Sequence, residues 1–169
     1  AELVQRRAQV VAALREQTFG AFPAKPPPLE FQTEYEEDES GYLGSRFAFT
    51  SEAGWRLHGR KWRGKGVAAP APAVVALRLP GEGRWETRGL VLGIPAAWVK
   101  VEFEPRGTGE TAWGEDLNWH VRRAAAWTGR TVASMRVWDV LRALEVVRRS
   151  PEVAGQPVAL AARGEMAVV

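Results

Sequence analysis

The chain has 169 residues, 46% hydrophobic and 25% charged, with a formal net charge of +3. That is one domain's worth of sequence, with enough apolar material for a sizeable core. No apolar run approaches the ~18 residues a membrane-spanning helix needs, and the absence of cysteine excludes disulfides and thiolate metal sites.

The basic side chains are nearly all arginine, the lysines being Lys25, Lys61, Lys65 and Lys100, and they are scattered among acids. Neither a nucleic-acid partner nor a membrane is expected. The chain opens Ala1-Glu2-Leu3 without Met, as after removal of an export leader or equally at an arbitrary cut, so the compartment stays open.

Residues 2–17 have helical spacing, with Leu3, Val10, Val11 and Leu14 on one face and Arg6, Arg7, Arg15 and Glu16 on the other. Gly20 and Pro23 are expected to end this helix. The prolines of residues 24–29 demand extended backbone. Residues 34–39 are an acidic run predicted to be a solvated loop; it lacks the spaced Asp/Asn ligands and turn glycine of a calcium loop. Residues 1–39 therefore read as an extension, and 40–169 as the domain.

Strand signals follow. Residues 43–50 and 55–62 alternate, with Phe47 and Phe49 on one side of the first, and the turn composition of 51–54 joins them as a hairpin. Residues 64–72 form a Gly/Pro/Ala loop. Residues 73–79 form a nearly continuous apolar strand, of the kind covered on both faces in a parallel sheet, and 80–83 end it. Residues 85–94 fit a short helix or a surface strand. A strand is predicted over 97–103, then a loop over 104–110. Residues 113–128, rich in Trp and Arg, read as a lid-like loop with some helix.

The clearest helix is 131–149. Its apolar stripe is Val137, Val140, Leu141, Leu144 and Val147, with Arg136, Asp139, Arg142, Glu145 and Arg149 on the polar side. Ser150-Pro151 closes it. A short buried strand, 158–162, runs into a turn at Arg163-Gly164-Glu165 and an apolar tail suited to starting a helix. Alternating strands and helices imply an α/β fold with a mostly parallel sheet and an antiparallel opening hairpin. Functional loops in such sheets lie beyond the C-terminal strand ends, here 80–83, 104–110 and 162–166.

Four pieces, taken in order, resemble the acetyl xylan esterase and prolyl-oligopeptidase-like branch of the α/β-hydrolases. Phe47 to Gly59 looks like the opening hairpin. Val74 to Gly81 looks like the strand leading to the first oxyanion loop. Val101 to Gly109 is similar to the family's strand followed by an Arg-Gly-x-Gly loop. Met135 to Val147, then Ser150 to Val153 and the last strand, looks like the helix before the nucleophile elbow. The resemblance implies that residues 40–169 are the N-terminal half of an α/β-hydrolase domain, without a cofactor. It implies a carboxylic ester, as an acylated carbohydrate or small ester, as ligand, and a C-terminal half or another chain covering the final strand.

The elbow pattern Gly-x-Ser-x-Gly sets Ala162, Gly164 and Met166 against its first Gly, its Ser and its second Gly. Gly164 offers no nucleophile, and His58 and His120 precede the elbow, whereas the family's triad His follows it. The resemblance would make the Glu165 amide, with that of Gly81 or Glu82, the oxyanion hole; Pro80 has no N–H to give. A degenerate esterase-like scaffold or an incomplete hydrolase is the first expectation. The alternative is a non-catalytic module that binds a glycan or other ligand in the retained cleft, with Arg106, Trp113, Trp119 and Trp127 as contacts.

Two other chemistries are weak. Arg106-Gly107-Thr108-Gly109 lacks the Gly-Lys-Ser/Thr ending of a phosphate cradle. Glu115, Asp116 and His120 offer one imidazole without a second at helical spacing, so no metal is expected.

Overall fold

The structure, a computed structural model, describes residues 2–17, 22–23 and 25–169. Backbone pairing builds one six-stranded sheet. β1 (Gln32–Glu39), β2 (Tyr42–Glu52) and β3 (Trp55–Gly64) form an antiparallel meander. β4 (Ala73–Leu77), β5 (Val99–Glu104) and β6 (Val158–Ala161) complete the sheet in the spatial order β1-β2-β3-β5-β4-β6. β5 joins the meander by antiparallel pairing to β3, and β4 runs parallel to both β5 and β6. The expected α/β class, with an antiparallel opening hairpin and a parallel later part, is what the sheet shows.

Among the described residues there are four α-helices: α1 (Glu2–Gln17), α2 (Arg84–Gly89), α3 (Glu115–Trp127) and α4 (Val132–Arg149). The predicted stop at Gly20 lies outside the described residues. α1 buries none of its side chains, and its apolar face stays exposed. α4 starts at a capping box in which Thr131 Oγ1 accepts from the Ser134 amide at 2.9 Å and Ser134 Oγ accepts from the Thr131 amide at 3.0 Å.

The two faces of the sheet differ. On one, Phe47, Phe49, Leu57, Val75, Val101 and Phe103 pack with Val140, Leu144 and Val147 of α4 in the main core. Phe49 stacks between Phe47 and Phe103, with centroids 6.4 and 5.8 Å away. Each such fully buried apolar side chain contributes about 1.5–3 kcal/mol. On the other face, Trp62, Val74, Ala76 and Val91 make a smaller cluster. β4 is buried along its whole length, as its unbroken apolar run predicts.

Five expectations need correction. The acidic run is not a loop: it is β1, paired with β2 and starting inside the stretch read as an extension. Its carboxylates are matched by cations across the sheet, Glu34 with Arg46, Glu37 with Arg60 and Asp38 with Lys65. A charged edge strand of this kind also discourages pairing with other chains. β6 is not buried: it is the opposite edge of the sheet, and Leu160 is half exposed. Residues 113–128 are mainly the helix α3 rather than a loop. Leu141, placed on the apolar stripe of α4, is half exposed. Arg136, Asp139 and Arg142, assigned to the polar side of α4, are buried, because that side faces the loop after β5 and the end of β2.

Candidate functional site

The sheet order places the site. From β4 the chain crosses to β5 on one side; from β5 it returns to β6 on the other side of β4. A crevice is expected beyond the C-terminal end of β4, at this reversal. Three segments lie at that end: the turn 80–83 after β4, the loop 105–111 after β5, and the turn 163–165 after β6.

After β4, the Glu82 amide donates to the Leu79 carbonyl at 3.2 Å across Pro80 and Gly81. Proline second and a glycine at φ +76° third make a type II turn. That turn uses the Glu82 N–H, so Gly81 is the better placed of the two proposed amide donors. The Glu82 carboxylate faces back into the structure. It accepts from the Leu79 amide (3.1 Å), Thr87 Oγ1 (3.2 Å) and Arg163 Nε (2.6 Å). Burial alone would raise its pKa, but the Leu79 amide and Arg163 outweigh burial and hold it below the usual carboxylate value.

After β6, Gly164 sits at φ +54°, a left-handed conformation that L side chains occupy only with strain. A Cβ there would lie 3.4 Å from both methyls of Leu79, in ordinary contact. The backbone favours glycine, while the space would admit a small side chain. A 3-10 helix, residues 164–168, begins here. The Glu165 amide is in its first turn, where N–H groups have no intrahelical acceptor. The Glu165 carboxylate is drawn to Arg136 Nη1 at 2.6 Å.

Behind these turns lies a buried ion-pair cluster. Arg106 donates from Nε to Asp139 Oδ2 (2.7 Å), from Nη2 to Asp139 Oδ1 (2.6 Å) and from its own amide to Oδ2 (3.1 Å). Arg106 Nη2 also reaches Glu52 Oε1 at 2.6 Å. Ser51 Oγ donates to Asp139 Oδ1 at 2.7 Å. Arg130 clasps Glu52 through both terminal nitrogens, at 2.8 and 2.7 Å. Arg136 Nε donates to the Arg106 carbonyl at 3.1 Å, joining this cluster to Glu165. Burial opposes the Arg106 charge, yet Asp139 and Glu52 more than offset it and raise its pKa.

The candidate residues therefore divide. Gly81, Glu82, Gly164 and Glu165 lie on the turns that end β4 and β6. Arg106 points its guanidinium inward, 5.5 Å from the Trp55 ring centre. Trp113 packs over the Arg106 loop, where a Cβ on Gly107 would collide with its ring. Trp119 and Trp127 stand on α3, 58% and 81% exposed. His58 is on β3, between Glu34 and Glu110. His120 packs edge-on against Trp119.

Glu52, Asp139, Arg130, Arg136 and Arg163 were missed as site residues. One signal was available. Arg136, Val140, Ala143 and Val147 share a helical stripe, so Arg136 falls in line with core positions.

The comparisons with solved structures now decide the fold. A Bacteroides fragilis chain with acetyl xylan esterase as its suggested activity superimposes with a TM-score of 0.75 at 13% identity, over 90% of this chain and 45% of that one. A glucuronoyl esterase from Solibacter usitatus does so with a TM-score of 0.68 at 14% identity, over 95% and 52%. Acetyl xylan esterase 1 from a Thermoanaerobacterium species gives 0.55 at 17%, over 92% and 49%.

The fold is that of the α/β-hydrolases.

The chain spans about half the length of these α/β-hydrolase structures. No protein-family model and no curated protein matches the sequence.

Proposed function

We propose that this chain is an esterase-like α/β-hydrolase scaffold that does not hydrolyse esters through a nucleophilic serine. The observation that carries this is Gly164. It stands at the turn after β6, at φ +54°, the position that the elbow pattern Gly-x-Ser-x-Gly assigns to the nucleophile, and it has no reactive side chain. The backbone features of acyl chemistry are partly kept, since Gly81 and Glu165 supply amides at that end of the sheet. Hydrogen-bond donors of this kind stabilise a developing oxyanion, yet without a nucleophile and base they have no covalent step to assist.

The test is hydrolysis of p-nitrophenyl acetate by the parent and by Gly164→Ser. Both are expected to stay at the buffer rate, because the serine alone brings no base. Turnover by the parent that disappears on substitution around residue 164 would overturn the proposal. The Ser variant should also lose about 1–2 kcal/mol of stability from its left-handed backbone, read as a lower denaturant midpoint.

A second reading has its own observation. Trp119 and Trp127 are large aromatic rings left in solvent on the helix that follows the Arg106 loop. Exposed indoles of this kind suit stacking on sugar rings, and the fold neighbours include proteins named as an acetyl xylan esterase and a glucuronoyl esterase. The chain would then bind an acylated glycan without cleaving it. Trp119→Ala should weaken affinity for acetylated xylo-oligosaccharides. Absence of measurable affinity for any acetylated glycan would count against this reading.

A further inference from the structure

Trp119, Arg123 and Trp127 are spaced four residues apart on α3, so they project from one face of the helix. The Arg123 guanidinium lies between the two indoles, 4.3 Å from the Trp119 ring centre and 5.7 Å from that of Trp127. Arg106, Arg130, Arg136 and Arg163 are each paired with a carboxylate. Arg123 has no carboxylate partner among the described residues, and it is exposed. Within α3 only Ala125 is buried, so this face is open.

We infer that the Trp119–Arg123–Trp127 face of α3 is a subsite for an acidic glycan, a run of sugar units bearing uronate carboxylates. This rests on the glycan-binding reading above and adds the charge. The indoles offer apolar surfaces to the C–H faces of two sugar rings. Their attachment points are about 12 Å apart along the helix, enough to leave the sugar between them over Arg123. Stacking holds the guanidinium plane, so its N–H edge is pre-oriented toward a carboxylate and loses little freedom on binding. A neutral glycan would fill the aromatic positions and leave the cation unmatched.

The test is calorimetric titration of the chain with oligogalacturonate and with acetylated and unsubstituted xylo-oligosaccharides at one fixed ionic strength. The parent is expected to bind oligogalacturonate more tightly. Arg123→Gln should weaken that binding about tenfold or more, as loss of a charge-assisted pair implies, and leave the weaker neutral binding unchanged. Arg148→Gln, an exposed arginine elsewhere, should change neither, which separates a built subsite from general attraction to a polyanion. Trp119→Ala with Trp127→Ala should abolish both; the two rings are solvent-exposed, so these variants should stay folded, checked by circular dichroism.

The inference is overturned if Arg123→Gln binds oligogalacturonate like the parent, or if Arg148→Gln weakens it equally. Binding of acetylated neutral oligosaccharides without any binding of oligogalacturonate would sink the inference and leave the glycan-binding reading standing. Affinity for neither would sink both.

Discussion

Both oxygens of Asp139 are occupied by Arg106, and one also accepts from Ser51. The side chain is fully buried. Replacing a buried ion pair by apolar groups can be harmless, but removing one partner strands the other charge. Asp139→Asn keeps the shape and removes the charge, leaving Arg106 with Glu52 as its remaining anion. The expected loss is about 3 kcal/mol, seen as a lower urea midpoint with an unchanged m-value. Glu36→Gln, at an exposed carboxylate of β1 with no ion pair among the described residues, should stay within about 0.5–1 kcal/mol of the parent. A loss at Asp139 no larger than at Glu36 would mean that Glu52 alone satisfies Arg106. Sequence was a mixed guide at this scale. The turn at Arg163-Gly164-Glu165 could be read directly, and Gly164 there takes the positive φ that glycine favours. Asp139, Arg136 and Arg142 could not, since opposite charges at helical spacing look the same on a solvated face and on a buried one.

Elements were legible where one force dominated. Alternation gave the β2–β3 hairpin, the unbroken apolar run gave β4, and the periodic stripe with its closing Ser150-Pro151 gave α4. β1 was hidden because an acidic run has low strand propensity; its pairing depends on Arg46 and Arg60, which are distant in sequence. α3 was blurred because its apolar residues do not face a core. It is held mainly at its two ends. Trp113 packs on Gly107 before it, and Arg130 pairs with Glu52 after it. An element with so little burial should open locally at low free energy. Hydrogen exchange should therefore show the α3 amides exchanging at least about tenfold faster than those in the middle of α4. Arg130→Gln should speed α3 further and leave central α4 nearly unchanged. Equal protection of the two helices would show that α3 is held by more than its ends.

At the scale of the molecule, the two faces of the sheet respond oppositely to pH. Beside the main core, the Glu52 carboxylate feels burial, which raises its pKa, and hydrogen bonds and charge from Arg130 and Arg106, which lower it; the cations prevail. On the other face, Glu102 is 5% exposed and its Oε1 accepts no hydrogen bond, with Arg88 Nε 3.4 Å away and misaligned. Burial there outweighs Arg88, Arg60 and Arg84, and the pKa is raised. The ordinary value is 4.5 for both groups.

The signs follow from which state holds the proton more tightly. Glu52 contributes stability above pH 4.5, and this is lost as the pH falls through its lower folded value. Glu102 contributes stability fully below pH 4.5, and this is lost as the pH rises through its higher folded value. Melting curves of two variants separate the faces. At pH 7, Glu52→Gln should melt below the parent, because it removes a paired charge. Glu102→Gln should melt above it, because it removes a charge that burial disfavours. The Glu102 difference should shrink as the pH drops through its raised folded value toward 4.5, and the Glu52 difference only as the pH drops below 4.5 toward its lowered one. If Glu102→Gln instead melts below the parent at pH 7 by as much as Glu52→Gln, the arginines around Glu102 outweigh its burial. The second face would then be held by its ion pairs rather than by the Trp62, Val74, Ala76 and Val91 cluster.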